Sequence, residues 1–170
     1  AQGHAVGKSL VEPDMIETAR TLLDLAATDG TRMMLPTDHR CAISPKDVTQ
    51  VRDCEIGIPP DLMGLDIGPE TAAAWREELT AARTVVWNGP MGVFEIPPFD
   101  QGSRAVAEGI VSATRHHRAV SIVGGGETAA AVESFGLSGK VSHVSTGGGA
   151  SLAMLEGKSF RSVELLEDLP

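Results

Sequence analysis

The stretch "AVSIVGGGETAAAVESFG", residues 119–136, decides the fold. A short apolar run ends in three glycines, and a run of helix formers starts at once behind them. Strand, tight glycine turn and helix therefore follow one another without a linker. The order recurs in "VSHVSTGGGASLAMLEGK", residues 141–158, and in "TVVWNGPMGVFEIPPF", residues 84–99, where a longer loop precedes a helix expected from Asp100 to Arg115. Apolar strands alternating with helices of about a dozen residues imply parallel strands joined by right-handed crossovers. The expected fold is α/β: a doubly wound, Rossmann-like parallel sheet with helices on both faces, a three-layer sandwich. Its ligands belong at the carboxyl ends of the strands.

Upstream, Pro13 opens a segment in which Met15, Ile16, Ala19, Leu22, Leu23 and Ala26 recur at helical spacing, closed by "TDG". This predicts an amphipathic helix with a stripe facing the core. "RMMLP", residues 32–36, predicts a buried strand, and residues 37–68, broken by Pro45, Gly57, Pro59, Pro60 and Gly64, an irregular segment. "PETAAAWREELTAA", residues 69–82, starts with proline and an acid at the positive end of a helix. The tail "RSVELLEDLP", residues 161–170, is expected to pack as a short segment with a frayed acidic end.

A chain of 170 residues suits one domain, or at most a domain and a small appendage, and 42% apolar content is that of a globular protein. Its net charge of -9 argues against a nucleic-acid backbone or an anionic membrane as partner, and no stretch is long and apolar enough to span a bilayer. Cys41 and Cys54 have no metal-ligand spacing and are expected to be reduced thiols of a cytoplasmic protein. The first residue is not Met, which predicts a piece of a longer chain.

Three strand ends carry the chemistry. In a parallel sheet they share one edge, so loops distant in sequence are expected to converge. A helix beginning at "GGGAS" offers unpaired N–H groups, and glycine removes the Cβ atoms that would hold a phosphate away, so Gly147, Gly148 and Gly149 are expected to cradle one. The alternative is a tight turn needing positive φ. In "GGGET", Thr128 can donate to a phosphate oxygen, whereas Glu127 would repel it unless a divalent cation intervenes, which implies Mg²⁺. Asn88 directly follows its strand, Pro90 stiffens the loop behind it, and Glu95 can accept from a sugar diol. Trp87 and Phe94 are expected in the core, His143 as a buried support of its loop, and His116 and His117 as cations at a helix end. Asp38, His39 and Cys41 are expected in a solvated loop.

Together "WNGPMGVFE", "GGGET" and "VSHVSTGGGASLAMLEGK", preceded by "GKSLVE" and "MGLDIGPET", resemble the nucleotide-binding, carboxyl-terminal domain of the phosphoglycerate kinase family. The resemblance implies reversible phosphoryl transfer from 1,3-bisphosphoglycerate to Mg·ADP, giving 3-phosphoglycerate and ATP in glycolysis. It implies that Leu10, Gly64 and Leu65 border the adenine and that Glu95 binds the ribose. Asn88 and Thr128 would contact the phosphates, Gly124, Gly125, Gly126 and Glu127 would form the turn holding the metal-bound phosphates, and Gly147, Gly148 and Gly149 would face the phosphoryl group in flight. No general base is required, since the acceptor oxygen of ADP is already anionic.

Two departures matter. The family carries Asp where this chain has Glu127, and the longer side chain moves the carboxylate outward. The resemblance also lacks the amino-terminal, phosphoglycerate-binding domain and the first βα units of the nucleotide domain. The expectation is a chain holding the ADP/ATP side only, inactive alone, with a sheet edge open to self-association. The rival reading is a non-catalytic nucleotide-binding or interaction module that keeps these loops as structural turns.

Overall fold

The computed structural model describes residues 1–145 and 147–160, so the tail at 161–170 lies outside the described residues. The chain divides into two compact units, Ala1–Glu78 with Met91–Val106, and Leu79–Pro90 with the residues from Ala107 onward.

In the first unit a single 3-10 turn at Pro13–Met15 leads into α1 (Ile16–Asp29), which ends on Gly30 in the left-handed conformation. Ile16, Ala19 and Leu23 are half-buried and Ala26 is buried. Met15 and Leu22, expected on the same stripe, are 50% and 53% exposed. "RMMLP" is not a strand: residues 31–36 are irregular, with Met33 and Leu35 exposed. The segment expected to be irregular instead folds as β1 (Asp38–Ala42), β2 (Arg52–Glu55) and β3 (Met63–Ile67), paired antiparallel in the order β2-β1-β3. Asp38, His39 and Cys41 therefore lie on a strand and not in a solvated loop, with Asp38 and Cys41 buried. Two small cores pin this sheet. Cys41 packs with Ile58 and Leu62, and Ala42 with Leu65 and Phe99.

α2 (Pro69–Thr80) follows β3 directly. Its first turn is capped from β1: the Asp38 carboxylate accepts from Glu70 N (2.9 Å), Thr71 N (2.8 Å) and Thr71 Oγ1 (2.5 Å). A carboxylate there satisfies amides that no helical carbonyl can reach and meets the positive end of the dipole. Burial pushes the Asp38 pKa up, but these bonds outweigh it and leave the group below its ordinary value.

The second unit holds the expected parallel α/β architecture. β4 (Thr84–Asn88), β5 (Val120–Gly124) and β6 (His143–Ser145) lie in that order, all parallel. Along β4, Val85 and Trp87 are buried while Thr84, Val86 and Asn88 are exposed, the two-residue alternation of a strand covered on one face. α3 (Gln101–His117) contributes Ala107, Ile110 and Ala113 to this unit's buried residues, and Arg115, His116 and His117 close its last turn as expected. α4 (Gly126–Ser134) and α5 (Gly148–Leu155) start at the two glycine triplets.

Candidate functional site

The register of the parallel sheet assembles the site in the second unit. Asn88, Gly124 and Ser145, the last residues of β4, β5 and β6, are direct neighbours across the sheet. The three loops that the sequence singled out thus leave one edge side by side. They also touch. A Cβ added at Gly148 would lie 2.5 Å from the Cα of Gly125, and one added at Gly125 would lie 2.9 Å from Asn88 Oδ1. Gly125 has φ 91°, ψ 143° and stands at the N-cap of α4, a conformation costly for any L side chain.

The glycines divide by what surrounds them. Gly125 and Gly148 are required by contact between loops, which is the structural half of the alternatives left open by the sequence. Gly126 and Gly149 are exposed with nothing within 4 Å of a built Cβ, and Gly147 is exposed with only Ser145 Oγ near, at 3.8 Å. These three offer bare backbone to a ligand. α4 has no side-chain cap, and its first intrahelical bond of this kind runs from Ala129 N to Gly125 O. The amides of Gly126, Glu127 and Thr128 precede that bond and point from the positive end of the helix.

Thr128 sits differently from its expectation as an open phosphate donor. It is 1% exposed, and its Oγ1 accepts from Gly89 N at 2.8 Å, tying the first turn of α4 to the loop behind Asn88. Trp87 is buried as expected, and its Nε1–H donates to Gly89 O at 2.7 Å. Sequence reasoning missed both bonds, because each joins a side chain to a backbone atom whose position depends on the turn at Gly89. Glu127 is exposed in the first turn of α4, beside those amides. His143 is exposed on β6 and does not support its loop from within. Among the described residues no three His, Cys, Asp or Glu side chains gather as a metal cluster.

Leu10, Gly64, Leu65 and Glu95 belong to the first unit. Leu10 is 99% exposed, Leu65 is buried on β3, and Glu95 is exposed. Gly64 N donates to Ser9 Oγ at 2.9 Å, and the space beside Gly64 is taken by Ile58, whose Cδ1 would be 2.9 Å from a Cβ there. The loop carrying Glu95 is joined to β3 by Val93 N, which donates to Leu65 O at 2.9 Å. A cavity of ≈ 240 Å³ in the same unit, lined by Arg40, Ile67, Arg76 and Gln101 among others, includes none of the residues that the sequence singled out.

Comparison with known proteins adds an independent line. The family described as "Phosphoglycerate kinase" matches residues 1–158. A phosphoglycerate kinase of Rhodopirellula baltica is 50% identical over 174 residues, covering 99% of this chain and 41% of the relative, and one of Roseiflexus castenholzii is 48% identical over 169 residues, covering 99% and 42%. Among solved structures, phosphoglycerate kinase from Coxiella burnetii superposes with a TM-score of 0.86 at 40% identity, over 92% of this chain and 40% of that one. The chain spans about two-fifths of the length of the relatives it matches.

Proposed function

Because the chain belongs to the phosphoglycerate kinase family, we propose that its glycine loops bind the phosphates of ADP and ATP and that it supplies the nucleotide side of phosphoryl transfer between 1,3-bisphosphoglycerate and ADP. The observation that carries this reading is the alignment of Asn88, Gly124 and Ser145 at one sheet edge, which brings the Asn88 side chain against Gly125 and Gly125 against Gly148. Exposed amides at Gly126, Glu127, Gly147 and Gly149 then stabilise charge on the phosphates without reorganising. Asn88 supplies a polar side chain from the adjoining strand end. Family membership alone supports assigning Leu10, Gly64 and Leu65 to the adenine and Glu95 to the ribose. Thr128 acts through Gly89, holding the Asn88 loop against α4.

Mg²⁺ fits the residues present. This ion takes one or two protein carboxylates and completes its shell with water and nucleotide phosphates, so a three-ligand protein cluster is not needed. Glu127 is the carboxylate in place, exposed beside the free amides of α4. Bound there, Mg²⁺ would neutralise phosphate charge and offset the repulsion from Glu127.

The reading assigns the phosphoglycerate side to sequence outside these 170 residues and the protein to the cytoplasm. A coupled assay on this chain alone is expected to show no turnover above background, and turnover at ordinary kinase rates would contradict that. Calorimetry with ADP tests the nucleotide assignment. Binding should strengthen with Mg²⁺ and lose most of that gain in Glu127→Gln. A folded chain that binds ADP equally with and without Mg²⁺, or not at all, would favour the structural-turn reading.

A further inference from the structure

Asp66, within "MGLDIGPET", is a buried carboxylate, 4% exposed, that takes no part in the glycine loops. It sits on β3 immediately after Leu65. Its Oδ2 accepts from Gly102 N, in the first turn of α3, at 2.7 Å, and its Oδ1 accepts from Ile67 N at 2.8 Å. A Cβ on Gly92 would lie 2.5 Å from Oδ1, and one on Gly102 would overlap the same atom. The carboxylate is thus enclosed by the backbone of the Glu95 loop on one side and of α3 on the other. Two more bonds hold that loop, from Met91 N to Ser103 Oγ at 2.9 Å and from Val93 N to Leu65 O at 2.9 Å. The start of the loop therefore depends on β3 and on the first turn of α3, the two elements that Asp66 joins.

We propose that Asp66 is a positioning residue that locks the loop bearing Glu95 to the strand bearing Gly64 and Leu65. Taking those residues as nucleotide contacts rests on the function proposed above; the locking itself does not. Asp66 touches no nucleotide. It acts through Gly92 and Gly102, keeping the ribose carboxylate in register with the adenine wall, and only an acceptor of two amides that is no larger than a carboxylate fits there.

The charge state gives the lock a pH signature. Burial pushes the Asp66 pKa up to about 6, against the pull of the Gly102 and Ile67 amides and of Arg40 on β1, while Asp100, just ahead of α3 and paired with Arg104, adds to the rise. Opening the lock would return the group to its ordinary value, so proton uptake favours the closed arrangement, and the lock should tighten as pH falls through about 6.

Amide hydrogen exchange on the 170-residue chain tests this, with protection corrected for intrinsic exchange. In the unsubstituted chain, protection at Gly92, Val93 and Gly102 should rise between pH 7 and pH 5, while that of the β5 amides stays level. Asp66→Asn should lower protection of the same three amides by about tenfold or more at pH 7 and abolish the pH step. ADP affinity should fall several-fold in that variant. Protection that is flat with pH in the unsubstituted chain, or unchanged in a folded Asp66→Asn, overturns the lock. If the unsubstituted chain does not bind ADP, the nucleotide reading fails, and the exchange results still decide the role of Asp66. The pH profile needs no variant, so an unfolded Asp66→Asn leaves the proposal testable.

Discussion

A methyl group at Gly148 would meet the Cα of Gly125 at 2.5 Å and its N at 2.7 Å, and both are backbone atoms that cannot swing aside. Gly148→Ala should therefore cost about 1–3 kcal/mol in chemical denaturation, the usual penalty for forcing extra volume into a close contact. Gly149→Ala, with open space around it, should stay within about 1 kcal/mol of the unsubstituted chain and lose ADP affinity instead. Equal stability losses in the two variants would remove the distinction drawn between contact glycines and ligand-facing glycines. Thiol chemistry gives a second check at this scale. Cys41 is fully buried, and burial, reinforced by its neighbour Cys54, pushes its pKa up to about 12. Titration with a chromogenic disulfide should show one thiol reacting readily, Cys54, and one reacting only on unfolding. Two fast thiols would contradict the buried position of β1.

At the scale of elements, α2 depends on a cap that comes from another element. Asp38→Ala removes the acceptor of two amides and a hydroxyl, and should lower stability by about 1–2 kcal/mol at pH 7. The pH dependence follows from the sign of the shift. The folded-state pKa of Asp38 is depressed, so its contribution is present above the unfolded value of about 4 and is lost as pH falls through the folded value. Acid unfolding should accordingly be less steep in Asp38→Ala, measured by circular dichroism between pH 5 and pH 2. Asp66 has the opposite sign: its raised value means that its titration favours the folded state most below pH 4 and progressively less as pH rises through about 6.

Which elements could be read from the sequence has a physical basis. The parallel strands announce themselves because each is an apolar run stopped by glycine, and the helices behind them begin with residues that favour a first turn. The antiparallel sheet of the first unit gave no such signal. β2 is Arg52, Asp53, Cys54 and Glu55, charged at three of its four positions, and those three are exposed on an edge strand. β1 carries Asp38 and Arg40, whose polarity is satisfied by Thr71 and the turn into α2, and by Asp53 and Gln101. "RMMLP" misleads in the other direction, because an apolar run bounded by proline resembles a buried strand and here stays irregular with Met33 and Leu35 exposed. At the site, the glycines and Asn88 were legible as a set. The bond from Gly89 to Thr128 and the buried Asp66 were not, since both depend on contacts between segments remote in sequence.

For the whole molecule, the net charge of -9 means that the proposed binding of an anion would rest on local backbone dipoles and not on the overall field. Among the described residues β4 has a strand neighbour on one side only, and Val86 and Val120 are 41% and 50% exposed. Sedimentation velocity should show association that grows with concentration and is suppressed by Val86→Lys; a monomer at every concentration would contradict an open edge. The central claim is that the three strand ends of the parallel sheet form a phosphate-binding surface for ADP. Titration of the isotopically labelled chain with Mg·ADP, followed through its backbone amide resonances, tests it most directly. The account predicts the largest shifts at Gly126, Glu127, Gly147 and Gly149, with Gly89 following through Thr128. Shifts confined to other segments, or none in a folded chain, would contradict it.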